Sequence, residues 1–180
     1  MKKQFKRILV IKMRFHGDML LTTPVISTLR QHYPDASVDV LLYQDTMPIL
    51  SENPEINALY GIKNRGAGAG EKIANFVHLL RTLRANHYDL VVNLTDQWIV
   101  ALLVRGLQAE VKISQDFAQR QSAFWKKSFT HLAPYTGEHV VERNLSVLRP
   151  LGIDNPVTET TMSYRPAHWD SLRARLDALG

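Results

Sequence analysis

The run Ile8-Leu9-Val10-Ile11 is apolar at every position. A strand with one wet face alternates apolar and polar side chains, so an unbroken run fits a strand covered on both faces, as in parallel sheets. Leu90–Leu94 begins in the same way. Three further β-rich runs are Val38–Tyr43, Ala58–Ile62 and Val111–Ile113. Helical patterns alternate with them over Met19–His32, Glu71–Asn86, Gln97–Leu107 and Glu138–Leu151; in the second, Ile73, Phe76, Val77, Leu80 and Leu83 recur at helical spacing. The alternation predicts an α/β fold, a doubly wound parallel sheet with right-handed crossovers.

The chain has 180 residues, enough for one domain with a core of its own or slightly more. It has no cysteine, which excludes disulfides, thiolate catalysis and cysteine-ligated zinc. Its net charge of +5 is unevenly spread. From Met1 to Tyr33 the basic residues Lys2, Lys3, Lys6, Arg7, Lys12, Arg14 and Arg30 stand against Asp18 alone. That bias suits an anionic partner: phosphate, nucleic acid or an acidic lipid surface. Nucleic-acid binding rests on charge alone, and no nucleic-acid partner is expected. No apolar run approaches the roughly 20 residues of a membrane span. Ile8–Ile11 is too short for a signal-peptide core and is followed by Lys12 and Arg14. The expectation is a cytoplasmic protein able to touch a membrane surface.

Pro34-Asp35 and Asn53-Pro54 mark turns. Gly66-Ala67-Gly68-Ala69-Gly70 reads as a flexible or substrate-gating loop. It lacks the Gly-Lys-Ser/Thr of a Walker A loop and the third glycine of the dinucleotide fingerprint. After Gly152 the pattern changes: Asn155-Pro156, a short strand over Thr160–Tyr164, Pro166, then a helix from Trp169 to Leu179 capped by His168 or Asp170. A helix running to the last residue suggests an interrupted protein.

Chemistry concentrates where apolar runs end. Gly17-Asp18 follows the first, at the carboxyl edge of a parallel sheet, where open α/β sheets bind ligands. Asp18 has two readings there: a helix N-cap, or a general base on a substrate hydroxyl. Lys12, Arg14 and His16 would draw in a phosphorylated substrate, and Gly17 permits close backbone approach. Thr95, Asp96 and Gln97 share that edge after the Leu90 run, where polar groups hydrogen-bond a sugar and Trp98 would stack on its apolar face. The alternative is an Asp N-cap with a core tryptophan. Arg120, Lys126 and Lys127, interleaved with Phe124 and Trp125, suit phosphate groups or an anionic membrane surface, or form a solvated helix face. The histidines show no metal-ligand spacing, so no metal is expected. No Gly-x-Ser-x-Gly elbow is present.

Taken in order, Ile8-Leu9-Val10-Ile11-Lys12, Gly17-Asp18-Met19-Leu20 and Thr22-Thr23-Pro24, then Tyr88-Asp89-Leu90-Val91-Val92-Asn93-Leu94 and His139-Val140-Val141-Glu142-Arg143-Asn144, resemble the bacterial heptosyltransferases of lipopolysaccharide core assembly, glycosyltransferase family nine. Arg14-Phe15-His16-Gly17-Asp18 and Asn93-Leu94-Thr95-Asp96-Gln97-Trp98 single out one branch of that family. The resemblance implies a GT-B architecture of two Rossmann-like domains. The N-terminal one takes the acceptor, a heptose of the phosphorylated lipopolysaccharide inner core. The C-terminal one takes most of the donor, ADP-heptose. It implies inverting, metal-independent transfer without a cofactor, at the cytoplasmic face of the inner membrane, with peripheral contact to anionic lipid. The family's proposed general base falls on Asp18.

Family members are about twice as long, on an expectation of roughly 100–200 residues per domain. The expected organisation is an acceptor-binding domain over residues 1–155 and the start of an interdomain crossover over 156–180, with the donor domain absent. Such a chain alone is expected not to transfer heptose. The alternative is a stand-alone Rossmann-like binding module for a phosphorylated ligand or anionic surface, without catalysis.

Overall fold

The computed structural model describes residues 3–63, 66, 68–153, 155–163 and 166–179. Among them, six strands form one sheet: β1 (Arg7–Ile11), β2 (Ser37–Tyr43), β3 (Ala58–Ile62), β4 (Leu90–Asn93), β5 (Val111–Asp116) and β6 (His131–Pro134). Their spatial order is β3-β2-β1-β4-β5-β6, and every neighbouring pair is parallel. β1 is therefore central, with Ile8 to Ile11 wholly buried. Ile8 and Val10 join one apolar layer with Val25, Ile26 and Leu29, while Leu9 and Ile11 join the other with Leu83, Val100 and Val104. Two covered faces are why the run does not alternate.

The helices are α1 (His16–Leu20), α2 (Thr23–His32), α3 (Met47–Leu50), α4 (Ala69–Ala85), α5 (Trp98–Gly106), α6 (Ala123–Ser128), α7 (Val140–Leu145) and α8 (Pro166–Leu179). The single helix expected over Met19–His32 is two. Thr22 and Thr23 turn their hydroxyls back onto the carbonyls of Asp18 and Leu20, at 2.9 and 2.8 Å, and Pro24, which lacks an N–H, sits in the first turn of α2. The expected helix Glu138–Leu151 is α7 followed by a 3-10 helix over Ser146–Leu151 that contains Pro150. α4 starts at Ala69, so Ala69 and Gly70 of the expected glycine loop are helical; Ala67 lies outside the described residues.

β6 has no counterpart in the sequence reading. It is a four-residue edge strand ending in Pro134, tolerated because an edge strand leaves one side of its ladder unpaired. The strand expected over Thr160–Tyr164 does not form: residues 160–163 pair with no strand, and Tyr164 lies outside the described residues. This segment instead lies along α2, whose threonines take its amides: Val157 N donates to Thr28 Oγ1 at 2.8 Å and Thr161 N to Thr23 Oγ1 at 2.9 Å. α8 begins at Pro166, which puts His168 and Asp170 inside the helix and not at its cap.

Candidate functional site

The strand order reverses direction between β1 and β4, and in open α/β sheets the crevice at that reversal, outside the carboxyl ends of the strands, is where ligands bind. The two segments leaving it are 12–18 after β1 and 94–97 after β4. The sheet thus brings together the two groups of residues that the sequence reading had placed at its carboxyl edge.

Backbone and side chain lace these segments. Met13 N donates to Thr95 Oγ1 at 2.8 Å, Asn93 Nδ2 donates to Thr95 O at 2.8 Å, and Thr95 N donates to Asn93 Oδ1 at 3.0 Å. Thr95 is fully buried, so its hydroxyl shapes the crevice floor. Asp96 is a hub: it accepts from Arg14 Nη2 at 3.3 Å and from Gln119 Nε2 at 2.6 Å, and its carbonyl accepts from Arg120 Nε. Arg120 also lies over the ring of Trp125, 5.9 Å from its centre. Gln97 donates through Nε2 to the hydroxyl of Tyr43. His16 is exposed and its Nε2 lies 3.0 Å from the carbonyl of Asp45. Gly17 is exposed, with open space where a Cβ would stand.

Asp18 does not cap a helix. The N-cap of α1 is Phe15, and Asp18 lies in the first turn. It is half-buried, and among the described residues its carboxylate has no hydrogen-bond partner. The alternative reading of Asp96 fails too. Gln97 is the N-cap of α5, and Trp98 is 59% exposed and not a core residue.

Lys12 is the least ordinary group at this edge. Only 7% exposed, its ammonium donates to Leu94 O at 3.3 Å and to Asn144 Oδ1 at 3.4 Å. Burial lowers its pKa to about 8, against the pull of the Asp18 carboxylate in the other direction. Asn144 donates in turn to Leu21 O at 3.0 Å. It therefore ties α7 to the end of β1 and to the joint behind Asp18. Asn144 was visible only as part of a motif, because its partner Lys12 is 132 positions away.

A cleft of about 580 Å³ opens beside this crevice, shared through Met13 and Gln97 and walled by Tyr43, Tyr60, Phe76 and Lys72. The sequence reading missed it. Gly61 lies in its lining, where a Cβ would come within 2.7 Å of Met47 Sδ and 3.1 Å of Gln44 Cα. Lys126 and Lys127 do not join the site; they stand exposed on α6. Among the described residues no three His, Asp or Glu side chains are grouped to hold a metal ion, and no helix is long and apolar enough to cross a membrane.

A six-stranded parallel sheet with this order, carrying a half-buried carboxylate and a buried ammonium at its reversal, defines a Rossmann-type ligand-binding domain. The sequence model of glycosyltransferase family 9 (heptosyltransferase) matches residues 76–180, and the chain belongs to that family. It is 72% identical to lipopolysaccharide heptosyltransferase 3 of Escherichia coli over 168 residues, 93% of this chain and 49% of the relative. The protein of that name from strain K12 is 70% identical over the same shares. The branch singled out by Arg14–Asp18 and Asn93–Trp98 is the one these relatives occupy. Among solved structures, heptosyltransferase WaaC of E. coli with ADP-2-deoxy-2-fluoro heptose superposes with a TM-score of 0.70 at 22% identity, over 86% of this chain and 51% of that one. This likeness confirms the fold, that of one Rossmann-like half of a GT-B glycosyltransferase. The chain spans about half the length of the curated relatives it matches.

Proposed function

We propose that this chain is the acceptor-binding half of a heptosyltransferase that moves heptose from ADP-heptose to a heptose of the lipopolysaccharide inner core, with Asp18 as the general base. The observation that carries this reading is the Asp18 carboxylate at the sheet reversal, which has no hydrogen-bond partner among the described residues and lies within electrostatic reach of the buried Lys12 ammonium. Asp18 takes the proton of the acceptor hydroxyl as its oxygen attacks the anomeric carbon of the donor. The bond from that carbon to the diphosphate breaks, its electron pair leaves with ADP, and the anomeric centre inverts. The cleft beside Gln97 suits the acceptor saccharide: Tyr43, Tyr60 and Phe76 offer rings for its apolar faces. Lys12, Arg14 and Lys72 supply positive charge for its phosphates. The solved relative's complex with an ADP-heptose analogue supports the donor. No metal or cofactor enters the scheme.

The test is heptose transfer from ADP-heptose to a phosphorylated inner-core acceptor by the protein expressed from its natural reading frame. Asp18→Asn is expected to lower kcat by about a thousandfold, within the range of general base catalysis. A variant within tenfold of the parent overturns the assignment.

A further inference from the structure

Lys12 carries a buried ammonium that feels the charge of Asp18 and of Asp96, yet it bonds to neither. Where water is scarce an ammonium ordinarily takes a carboxylate, since a charge-assisted hydrogen bond is roughly twice as strong as a neutral one. Asp96 is already paired with Arg14, at 3.3 Å. Asp18 is not: among the described residues its carboxylate has neither a hydrogen bond nor an ion pair. Lys12 donates instead to two uncharged oxygens, Leu94 O at 3.3 Å and Asn144 Oδ1 at 3.4 Å. The first is backbone. The second is a side chain that reaches in from α7.

Both halves of the Asn144 amide are used. Oδ1 accepts from Lys12, and Nδ2 donates to Leu21 O at 3.0 Å. Turned over, the amide would set its NH2 against the ammonium and its oxygen against the carbonyl, so one orientation holds. Asn144 is 2% exposed, and its turn of helix is anchored: Ser146 Oγ donates to Arg143 O at 2.6 Å, and Gln115 Nε2 donates to the same carbonyl. Leu21 follows directly on α1, the five-residue helix that carries Asp18. Asn144 is the one side chain among the described residues that bonds both Lys12 and the end of α1. It therefore fixes the ammonium and the helix of the carboxylate relative to one another.

We propose that Asn144 is a positioning residue for transfer: it holds the Lys12 ammonium off the Asp18 carboxylate, so that Asp18 keeps a lone pair open for the proton of the acceptor hydroxyl. This role rests on Asp18 acting as the base of the transfer proposed above. A direct hydrogen bond from Lys12 to Asp18 would occupy that lone pair and would have to break before the proton moved. The charged groups that Lys12 faces are Asp18 on α1, Arg14 after β1 and Asp96 after β4. On α7, Arg143 is turned to Gly137 O and the ring of Tyr135, and Glu142 to the amides of Glu138 and His139.

The experiment compares two variants of near-equal size in the protein expressed from its natural reading frame. Asn144→Leu bonds neither Lys12 nor Leu21. Asn144→Asp still accepts from Lys12 but cannot donate to Leu21. Asn144→Leu is expected to lower kcat by about ten- to a hundredfold, the cost of breaking a charge-assisted hydrogen bond before the base acts, with KM within about threefold of the parent. Asn144→Asp is expected to keep kcat within about fivefold, because Lys12 stays held. A residue needed only to tie down α1 would make the two variants equally damaging. The second readout needs no transfer: an NMR titration of the Lys12 side-chain nitrogen in the 180-residue chain, assigned with Lys12→Met. Loss of an acceptor alone lowers the pKa of a buried ammonium, whereas settling on Asp18 raises it. In Asn144→Leu it is expected to rise. Circular dichroism checks the fold, and should Asn144→Leu not fold, Asn144→Asp decides, a loss beyond about fivefold counting against the role. A kcat loss below about tenfold in Asn144→Leu, equal losses in the two variants, or a Lys12 pKa that falls would each overturn the proposal. A parent without heptose transfer overturns the transferase reading and this role together; a parent that transfers with variants like itself overturns this role alone.

Discussion

The two edges of one sheet hold their carboxylates in opposite ways. At the amino edge Asp39 is buried and saturated: Tyr88 donates to its Oδ2 at 2.7 Å, Asn57 to its Oδ1 at 2.9 Å, and Arg7 lies at 3.8 Å. Asp89 beside it accepts the amides of Lys6 and Arg7 at 2.8 and 3.0 Å. Burial, reinforced by the bond to Asp39, holds the Tyr88 phenol far above its ordinary pKa, so the phenol keeps the proton it donates. At the carboxyl edge, among the described residues, Asp18 has no hydrogen-bond partner and Lys12 has two long ones, at 3.3 and 3.4 Å. A buried polar group left underused is costly, and such costs concentrate where a ligand relieves them. The amino edge holds the fold together and the carboxyl edge is held ready for chemistry.

That contrast breaks if the amino edge proves dispensable. Asp39→Ala leaves the Tyr88 hydroxyl and the Asn57 amide without their acceptor, and an expected loss of about 3 kcal/mol would appear in urea unfolding. A loss below about 1 kcal/mol would deny the network its structural role. Lys12 sharpens the comparison through pH. Its folded pKa of about 8 lies below its unfolded value, so the burial cost is full below pH 8. The cost is relieved as pH rises toward the unfolded value, because the unfolded chain then holds the proton more tightly. The stability of the parent relative to Lys12→Met is expected to rise by on the order of 2 kcal/mol over that window. A flat difference would mean that Lys12 is not penalised by burial. Asp96→Ala is expected to cost under about 1 kcal/mol, since the Arg14 pair is partly exposed and screened.

Legibility in the sequence followed the range of the forces involved. The strands β1, β2 and β4 were legible because burial on two faces writes itself as local apolar runs, and β3 and β5 because their residues Ala58–Ile62 and Val111–Ile113 are β-rich. β6 was not, since a four-residue edge strand containing Pro134 carries no such run. The break between α1 and α2 depends on hydroxyls of Thr22 and Thr23 turning back, which side-chain periodicity does not encode. The carboxyl-edge placement of Lys12, Asp18 and Thr95–Gln97 followed from strand direction alone. The clamp from Lys12 through Asn144 to Leu21 did not, because it joins groups more than a hundred positions apart. Trp98 read as a sugar platform or a core residue; only the fold showed it open to solvent.

The most direct test reads both properties of Asp18 in one variant. Asp18→Asn keeps the side chain's shape and removes its charge from the first turn of a short helix, worth about 0.3–1 kcal/mol at most. Measured together, unfolding stability within about 1 kcal/mol of the parent and heptose transfer lowered about a thousandfold would mark a carboxylate reserved for catalysis. Near-normal transfer, or a stability loss as large as that of Asp39→Ala, would show that the two edges of the sheet do not differ in the way described.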